Sequence, residues 1–250
     1  RGDNMEYAGD TQIGLVRKVN QDSILLRHKG HIALFAVADG MGGHTDGEKA
    51  SGAITQALDN WWQRIEKGQY EKNLFSLVNQ IKACIGQANQ MIYDTYKDKG
   101  ICGSTASILL LYEESYAVFH VGDSRIYKLE KRHFSQVTMD EVWENDIRTK
   151  KKFTLKEILN SNKRGKLINA IGTAPELMMT VKTDCLNEHM IFLLCSDGLY
   201  KMVNTRFLVK TLKQVSKGLT TQEAVEKLMQ KVYSQGAKDN VSILLIKTGK

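Results

Sequence analysis

Apolar positions along this chain form two kinds of run, one strand-like and one helix-like, and the two kinds come in blocks. Up to residue 40 the runs are short and strand-like. Ser23–Arg27 and His31–Ala38 are separated by Gly30, which marks a turn, and Gly9–Asp22 reads as a short strand or loop leading into that hairpin. After residue 44 the spacing turns helical. Ala50, Ala53, Ile54, Ala57, Leu58, Trp61 and Ile65 recur at helical intervals toward Gly68, with Thr45 or Asp46 as the cap. Leu74, Leu77, Val78, Ile81, Ile85, Ala88, Ile92 and Tyr96 repeat the pattern toward Gly100. The short runs Ser107–Leu111, Tyr116–Val121, Arg125–Leu129 and His133–Val137 then predict an antiparallel meander. Ile191–Cys195 and Val241–Lys247 are further strands. Helical patterns lie between them at 205–215 and 221–233, the second capped by Thr220 or Thr221.

Strands grouped in hairpins and helices grouped in pairs do not form a βαβ repeat. They predict an α+β fold, a central antiparallel β-sandwich flanked on both faces by pairs of α-helices in four αββα layers. One segment breaks the pattern. Residues 139–167 are rich in charge, with Arg148-Thr149-Lys150-Lys151-Lys152 and Lys163-Arg164-Gly165-Lys166, and carry few apolar residues beyond Val142, Trp143, Ile147, Phe153, Leu155, Ile158 and Leu159. Phe153 to Leu159 suits one short helix. The expectation is a single domain over 5–250 with a basic insertion, a flap, at about 139–167.

Composition narrows the class. The chain has 250 residues, 42% of them hydrophobic and 25% charged, the balance of a soluble globular protein. No apolar run approaches the roughly 20 residues a spanning helix needs, and the N-terminal pattern is not that of a signal peptide. A cytoplasmic location is therefore expected. Cys84, Cys102, Cys185 and Cys195 have no short metal-ligand spacing and read as buried thiols of a reducing compartment. A net charge of +7 favours an acidic partner, whether nucleic acid, membrane surface or phosphorylated protein.

Candidate chemistry gathers at strand ends. The run Phe35-Ala36-Val37-Ala38 ends in Asp39-Gly40-Met41-Gly42-Gly43-His44. Val118–Ser124, Ile191–Gly198 and Gly236–Val241 place Asp123, Asp197 and Asp239 at comparable positions. Acids converging this way repel one another unless cations or raised pKa values relieve them. An oxygen-only donor set favours magnesium or manganese over zinc, and the Gly40 carbonyl, with no side chain beside it, is a further oxygen ligand. Two such ions about 4 Å apart suit in-line hydrolysis of a phosphate ester.

Taken together, several blocks resemble the metal-dependent PP2C-type serine/threonine phosphatases in their compact bacterial form. They are Val16-Arg17-Lys18-Val19-Asn20-Gln21-Asp22, Ala38–His44, Gly103-Ser104-Thr105-Ala106, Val121-Gly122-Asp123-Ser124-Arg125, Cys195-Ser196-Asp197-Gly198 and Lys238-Asp239-Asn240-Val241. The resemblance spans about Asp10 to Lys247. It implies that Asp39 bridges two ions, that the Gly40 carbonyl, Asp197 and Asp239 complete the ligand set, that Asp22 supports a metal-bound water, and that Asp123 holds a third, weaker ion. It also implies that Arg17 grips the substrate phosphate, where a planar fork of donors suits two phosphate oxygens. His44 reads equally as proton donor to the leaving alkoxide or as a brace for its loop.

The implied activity is hydrolysis of phosphoserine and phosphothreonine in proteins without a phosphoenzyme, by a monomer whose substrates are those of a Ser/Thr kinase, with no nucleic acid and no membrane as partner. Two departures stand out. Gln21 replaces a glutamate found in some members, and Thr138-Met139-Asp140-Glu141 replaces the usual Thr-x-Asp-His. They favour, as the alternative, a catalytically impaired phosphoprotein-binding module of the same fold; a metal-dependent nuclease ranks last. Away from these blocks, Trp61 and Trp62 are expected to divide between core and surface, and His120 to be packed and hydrogen-bonded within a strand.

Overall fold

The computed structural model describes residues 5–43 and 46–249. The chain runs through β1 (Glu6–Gln12), β2 (Asp22–Lys29), β3 (Ile32–Gly42), α1 (Asp46–Glu66), α2 (Leu74–Tyr96), β4 (Cys102–Ser104), β5 (Ala106–Tyr112), β6 (Ser115–Val121), β7 (Arg125–Glu130) and β8 (His133–Gln136). It continues through α3 (Ile147–Lys152), α4 (Leu155–Leu159), β9 (Thr180–Cys185), β10 (Ile191–Cys195), α5 (Asp197–Tyr200), α6 (Thr205–Val215), α7 (Thr221–Ser234) and β11 (Val241–Lys247). The strands form a five-stranded sheet, β1-β11-β10-β7-β8, and a six-stranded sheet, β2-β3-β5-β6-β9, with β4 on the end of β3.

The unbroken apolar run of β3 follows from its place in the layers. Successive side chains of a strand point to opposite faces. Phe35 and Val37 join Leu109, Val118, Phe192, Leu194 and Leu244 between the two sheets. Leu34 and Ala36 face the other way, onto Ile54, Leu58, Trp62, Ile81 and Ile85 of α1 and α2. A strand covered on both faces needs apolar residues at every position. On the far side, Leu193, Ile243 and Leu245 pack against Leu208, Leu212, Leu228 and Val232 of α6 and α7. The expected four αββα layers are therefore present.

Several local expectations change. The predicted meander is two hairpins on opposite sheets: β6 pairs with β5, whereas β7 pairs with β8 and β10. The chain crosses between sheets at Gly122-Asp123-Ser124. Gly122 has φ +97°, and a Cβ there would lie 2.6 Å from the Thr105 side chain, so the corner requires glycine. Trp61 and Trp62 are both buried, because α1 packs on a sheet and on α2 at once and its covered arc spans both positions. Their indole N–H groups donate to Gln80 and Glu66, at 3.0 and 3.1 Å. Cys185, expected to be buried, is exposed on β9.

Helix ends follow local chemistry. Asp46 is the first residue of α1 and not its cap, and Thr45 lies outside the described residues. Asn73 caps α2 by accepting from the Ser76 N–H at 2.7 Å. Thr220 and Glu223 close a capping box on α7. In the basic segment, Asp146 caps α3 and a Thr154–Glu157 capping box starts α4, two residues later than the predicted Phe153. Val142 and Ile158 are buried, while Ile147, Leu155 and Leu159 are exposed.

Replacing Gly122 by alanine combines a left-handed backbone with a clash against Thr105, so the variant should unfold in urea with a stability lower by about 1–3 kcal/mol. An unchanged midpoint would show that the corner does not depend on glycine.

Candidate active site

β2 and β3 are paired so that Asp22 lies opposite Asp39. β10 ends at Cys195 and delivers Asp197 two residues on; β11 begins at Val241 just after Asp239; the sheet-crossing corner carries Asp123. Asp39 feels the charge of Asp22, Asp197, Asp123 and Asp239 together, so the structure gathers all five at one end of the sandwich.

Close backbone contacts fix their positions. A Cβ on Gly40 would lie 2.0 Å from the Gly47 carbonyl oxygen, which is why β3 can run under the first turn of α1. On the other sheet a Cβ on Gly198 would meet the Asn240 carbonyl oxygen at the same 2.0 Å. Asn240 stitches the loop between β1 and β2 to β11: its Nδ2 donates to the Ile13 and Val19 carbonyls at 2.9 and 3.0 Å, and its Oδ1 accepts from the Gln21 N–H at 3.0 Å. The backbone of Asp39 is held by Thr105, whose Oγ1 accepts from the Asp39 N–H at 3.0 Å and whose N–H donates to the Asp39 carbonyl at 2.9 Å.

The carboxylates differ in how their charge is met. Asp22 is buried; its Oδ2 accepts from Ser196 and Ser242 hydroxyls, both at 2.7 Å, while its buried Oδ1 has no partner. Burial, then the charges of Asp197 and Asp239, push its pKa up to about 6 against the hydrogen bonds of the two serines. Asp39 is held well above the usual range, first by burial and then by its acidic neighbours. Asp123 is likewise pushed up to about 6, chiefly by burial and then by Asp197. Asp239 and Asp197 are instead ion-paired. Arg17 forks onto Asp239, Nε to Oδ1 and Nη2 to Oδ2 at 2.8 Å each. Lys201 pairs with Asp197 across one helical turn.

Of the expected site residues, Asp22, Asp39, Gly40, Asp123, Asp197, Asp239 and Arg17 share this end of the molecule, and His44 lies outside the described residues. Arg17, expected to meet substrate phosphate, is placed on an aspartate. Ser196, Ser242, Asn240, Tyr200 and Lys201 also belong to the site. Ser196 and Asn240 stand inside recognised blocks, but a sequence carries no sign of which acid a hydroxyl will reach. His120 is a packing residue as expected: burial pushes its pKa down to about 4, and its ring nitrogens meet Ser107 Oγ and the Met139 carbonyl, both at 3.1 Å.

Among the described residues no three His, Cys, Asp or Glu side chains form a ready cation cage, and Asp197 and Asp239 are turned onto lysine and arginine. The donor chemistry nevertheless fits a hard divalent cation. The set offers oxygen atoms alone, the crowded acids are relieved by positive charge, and Asp22 holds one buried oxygen without a partner.

This architecture and site define a class, an αββα sandwich with a cluster of aspartates at one end. The family model described as protein phosphatase 2C matches residues 16–232, and the chain belongs to that family. It is similar to a protein of the protein phosphatase 2C type from Streptococcus pyogenes, 28% identical over 250 residues and covering 97% of each chain. It is also 28% identical over 242 residues to the serine/threonine protein phosphatase PstP of Mycobacterium tuberculosis, covering 96% of this chain and 44% of PstP. The crystal structure of the Mycobacterium tuberculosis phosphatase PstP/Ppp superposes with a TM-score of 0.83 at 25% identity, covering 98% of this chain and 99% of that one. The PstP catalytic domain in complex with 2 manganese ions superposes with a TM-score of 0.80 at 26% identity, covering 98% and 99%.

Folded-state pKa values of about 6 for Asp22 and Asp123 exceed the roughly 3.9 of a free aspartate. The folded chain therefore holds these protons more tightly than the unfolded one, and this contribution to stability is lost as pH rises from about 4 through 6. Asp39→Asn removes the centre of the repulsion. In EDTA it should raise the thermal midpoint at pH 7.5 by about 2–4 °C, the effect of about 1 kcal/mol in a chain of this size, and change it much less at pH 5. Equal shifts at both pH values would contradict the charge account.

Proposed function

We propose that this chain is a metal-dependent protein phosphatase that hydrolyses phosphoserine and phosphothreonine by direct attack of water on phosphorus, without a phosphoenzyme. The observation that carries the reading is the convergence of four aspartates on Asp39, one of them Asp22, whose buried Oδ1 has no partner among the described residues. Membership of the protein phosphatase 2C family supports it, as do the names of PstP and of its manganese complex.

Asp39, Asp197, Asp239 and the Gly40 carbonyl are the groups that would hold two magnesium or manganese ions, with Asp239 releasing Arg17 to do so and Asp197 keeping Lys201 beside it. Such ions, when bound, supply a water of lowered pKa and neutralise charge on the phosphoryl oxygens. The chain's own residues do the rest. Asp22, fixed by Ser196 and Ser242, presents Oδ1 as an acceptor that orients the attacking water. Arg17, exposed and on a loop tied down by Asn240, moves from Asp239 to two phosphate oxygens. His44 remains the candidate for protonating the leaving alkoxide or bracing its loop.

An intact acidic set favours turnover over a phosphoprotein-binding module. The Gln21 side chain packs against Gly47, where an added Cβ would lie 2.7 Å from its Nε2. Among the described residues no helix is long and apolar enough to cross a membrane. The proposal extends to a cytoplasmic monomer opposing a Ser/Thr kinase, its single phosphatase domain at 5–250 carrying a basic flap at 139–167.

Purified protein should release phosphate from p-nitrophenyl phosphate and from phosphothreonine peptides with manganese and lose this activity in EDTA. Asp39→Asn should lower kcat by about 100-fold or more. Arg17→Ala should raise KM for the peptide about 10-fold, the worth of a charge-assisted hydrogen bond at about 1.5 kcal/mol. Phosphate release that is indifferent to manganese and to Asp39→Asn would overturn the assignment.

A further inference from the structure

The family resemblance gives Asp123 to a third, weaker cation, but the structure surrounds that carboxylate with groups that do not fit one. Asp123 is buried at the sheet-crossing corner. The Tyr200 hydroxyl reaches it twice, donating toward Oδ2 at 3.3 Å and the backbone carbonyl at 3.1 Å. The Tyr200 ring is itself immobilised, with the Arg125 guanidinium 3.5 Å from its centroid. Arg125 is in turn forked onto Asp140, Nε to Oδ1 at 2.9 Å and Nη2 to Oδ2 at 2.6 Å, and it donates to the Tyr127 hydroxyl at 2.8 Å. The next residue, Lys201, sets its ammonium on Asp197, within electrostatic reach of Asp123 and Asp39.

Tyr200 and Lys201 stand three and four residues after Asp197, which starts α5; Lys201 returns to that acid across one turn, and Tyr200 reaches Asp123. A phenol on one carboxylate oxygen occupies a lone pair that a cation would need. An ammonium amid the same acids already supplies positive charge there, and a divalent ion entering beside it meets repulsion on top of its own dehydration.

We propose, resting on the two-ion phosphatase reading above, that Lys201 and Tyr200 stand in for the third cation: Asp123 is a structural carboxylate in this chain, and the protein binds two divalent ions where the resemblance implies three. Lys201 is then a positioning residue, a built-in cation that keeps Asp123 and Asp197 from repelling one another.

The test is equilibrium dialysis of the whole chain against manganese, with bound metal counted per chain and folding checked by near-ultraviolet circular dichroism. Wild type and Lys201→Arg, which keeps the charge, should saturate at two ions. Lys201→Gln and the Tyr200→Phe/Lys201→Gln double variant should take up a third, with affinity at least about 10-fold above any third binding by wild type. Adding Asp123→Asn to Lys201→Gln should abolish that third ion, whereas Asp123→Asn alone should leave the two-ion isotherm unchanged. Three ions on wild type, a Lys201→Gln variant that stays at two, or an isotherm weakened by Asp123→Asn alone would each overturn the inference and leave the phosphatase reading standing. A folded wild type that binds no manganese would instead overturn the two-ion reading itself. The side chain of Lys201 is 55% exposed, so glutamine there removes charge without opening the core, and the Asp123→Asn arm decides the question even if a Lys201 variant fails to fold.

Discussion

Aspartates that repel one another are forced together here by backbone contacts that leave no slack. Gly40 lies under the first turn of α1 with no room for a Cβ, and Gly198 lies against Asn240 in the same way. Asp22 and Asp39 sit opposite one another in the β2–β3 register, and a shift of one residue would turn both away along with the whole apolar face of β3. The cost of crowding is therefore met by the four-layer packing, in which side chains such as Phe35, Phe192, Leu34 and Leu193 are wholly buried. The sandwich can hold an unfavourable cluster at its end because its interior fixes the register that creates it.

The cluster relieves itself in two ways. Asp197 and Asp239 carry ion pairs with Lys201 and Arg17. Among the described residues Asp22, Asp39 and Asp123 have no such pair, and their affinity for protons rises instead. In the phosphatase reading proposed above, divalent cations would replace the Arg17–Asp239 pair, by side-chain rotation, and the protons, by release to solvent. Arg17 and Lys201 differ in how they reach their acids. Arg17 reaches Asp239 from a loop distant in sequence, whereas Lys201 pairs within one helical turn and shares its field with Asp123.

The layers were legible because β3 carries an unbroken apolar run over Ile32–Ala38, β10 is apolar throughout, β11 is apolar but for Ser242 and Lys247, and α1, α2, α6 and α7 are periodic. Strand β9 was not: Thr180–Cys185 is an edge strand with mostly exposed residues, so no burial pattern marks it. The division of the meander between sheets was equally hidden, since a hairpin has the same pattern wherever it docks and only the contact of Gly122 with Thr105 reveals the corner. At the site, Asp39, Asp123, Asp197 and Asp239 were readable from the ends of apolar runs, and Asp22 from the family resemblance. Their partners were not, because Ser196, Ser242 and Tyr200 meet their acids through tertiary contacts, from 77 to 220 residues away in sequence for the bonds to Tyr200 and from Ser242.

Those same contacts explain the altered sequence after the second hairpin. Glu141, standing where relatives are expected to carry histidine, accepts from the Gly122 N–H at 2.9 Å and from Asn169 Nδ2 at 2.7 Å, and its own N–H donates to the Gly122 carbonyl at 2.8 Å. Asp140 beside it holds Arg125, which holds the Tyr200 ring against Asp123. The root of the basic segment is thus tied to the same corner that carries Asp123, and the Val142–Leu167 bridge closes the segment on itself. Arg148, Lys150, Lys151, Lys152, Lys163 and Lys166 are exposed on this segment, whose root is fastened beside the acidic end. A chain that keeps Asp140 but carries Glu141 in place of histidine has therefore changed how that excursion is fastened to the corner beside Asp123.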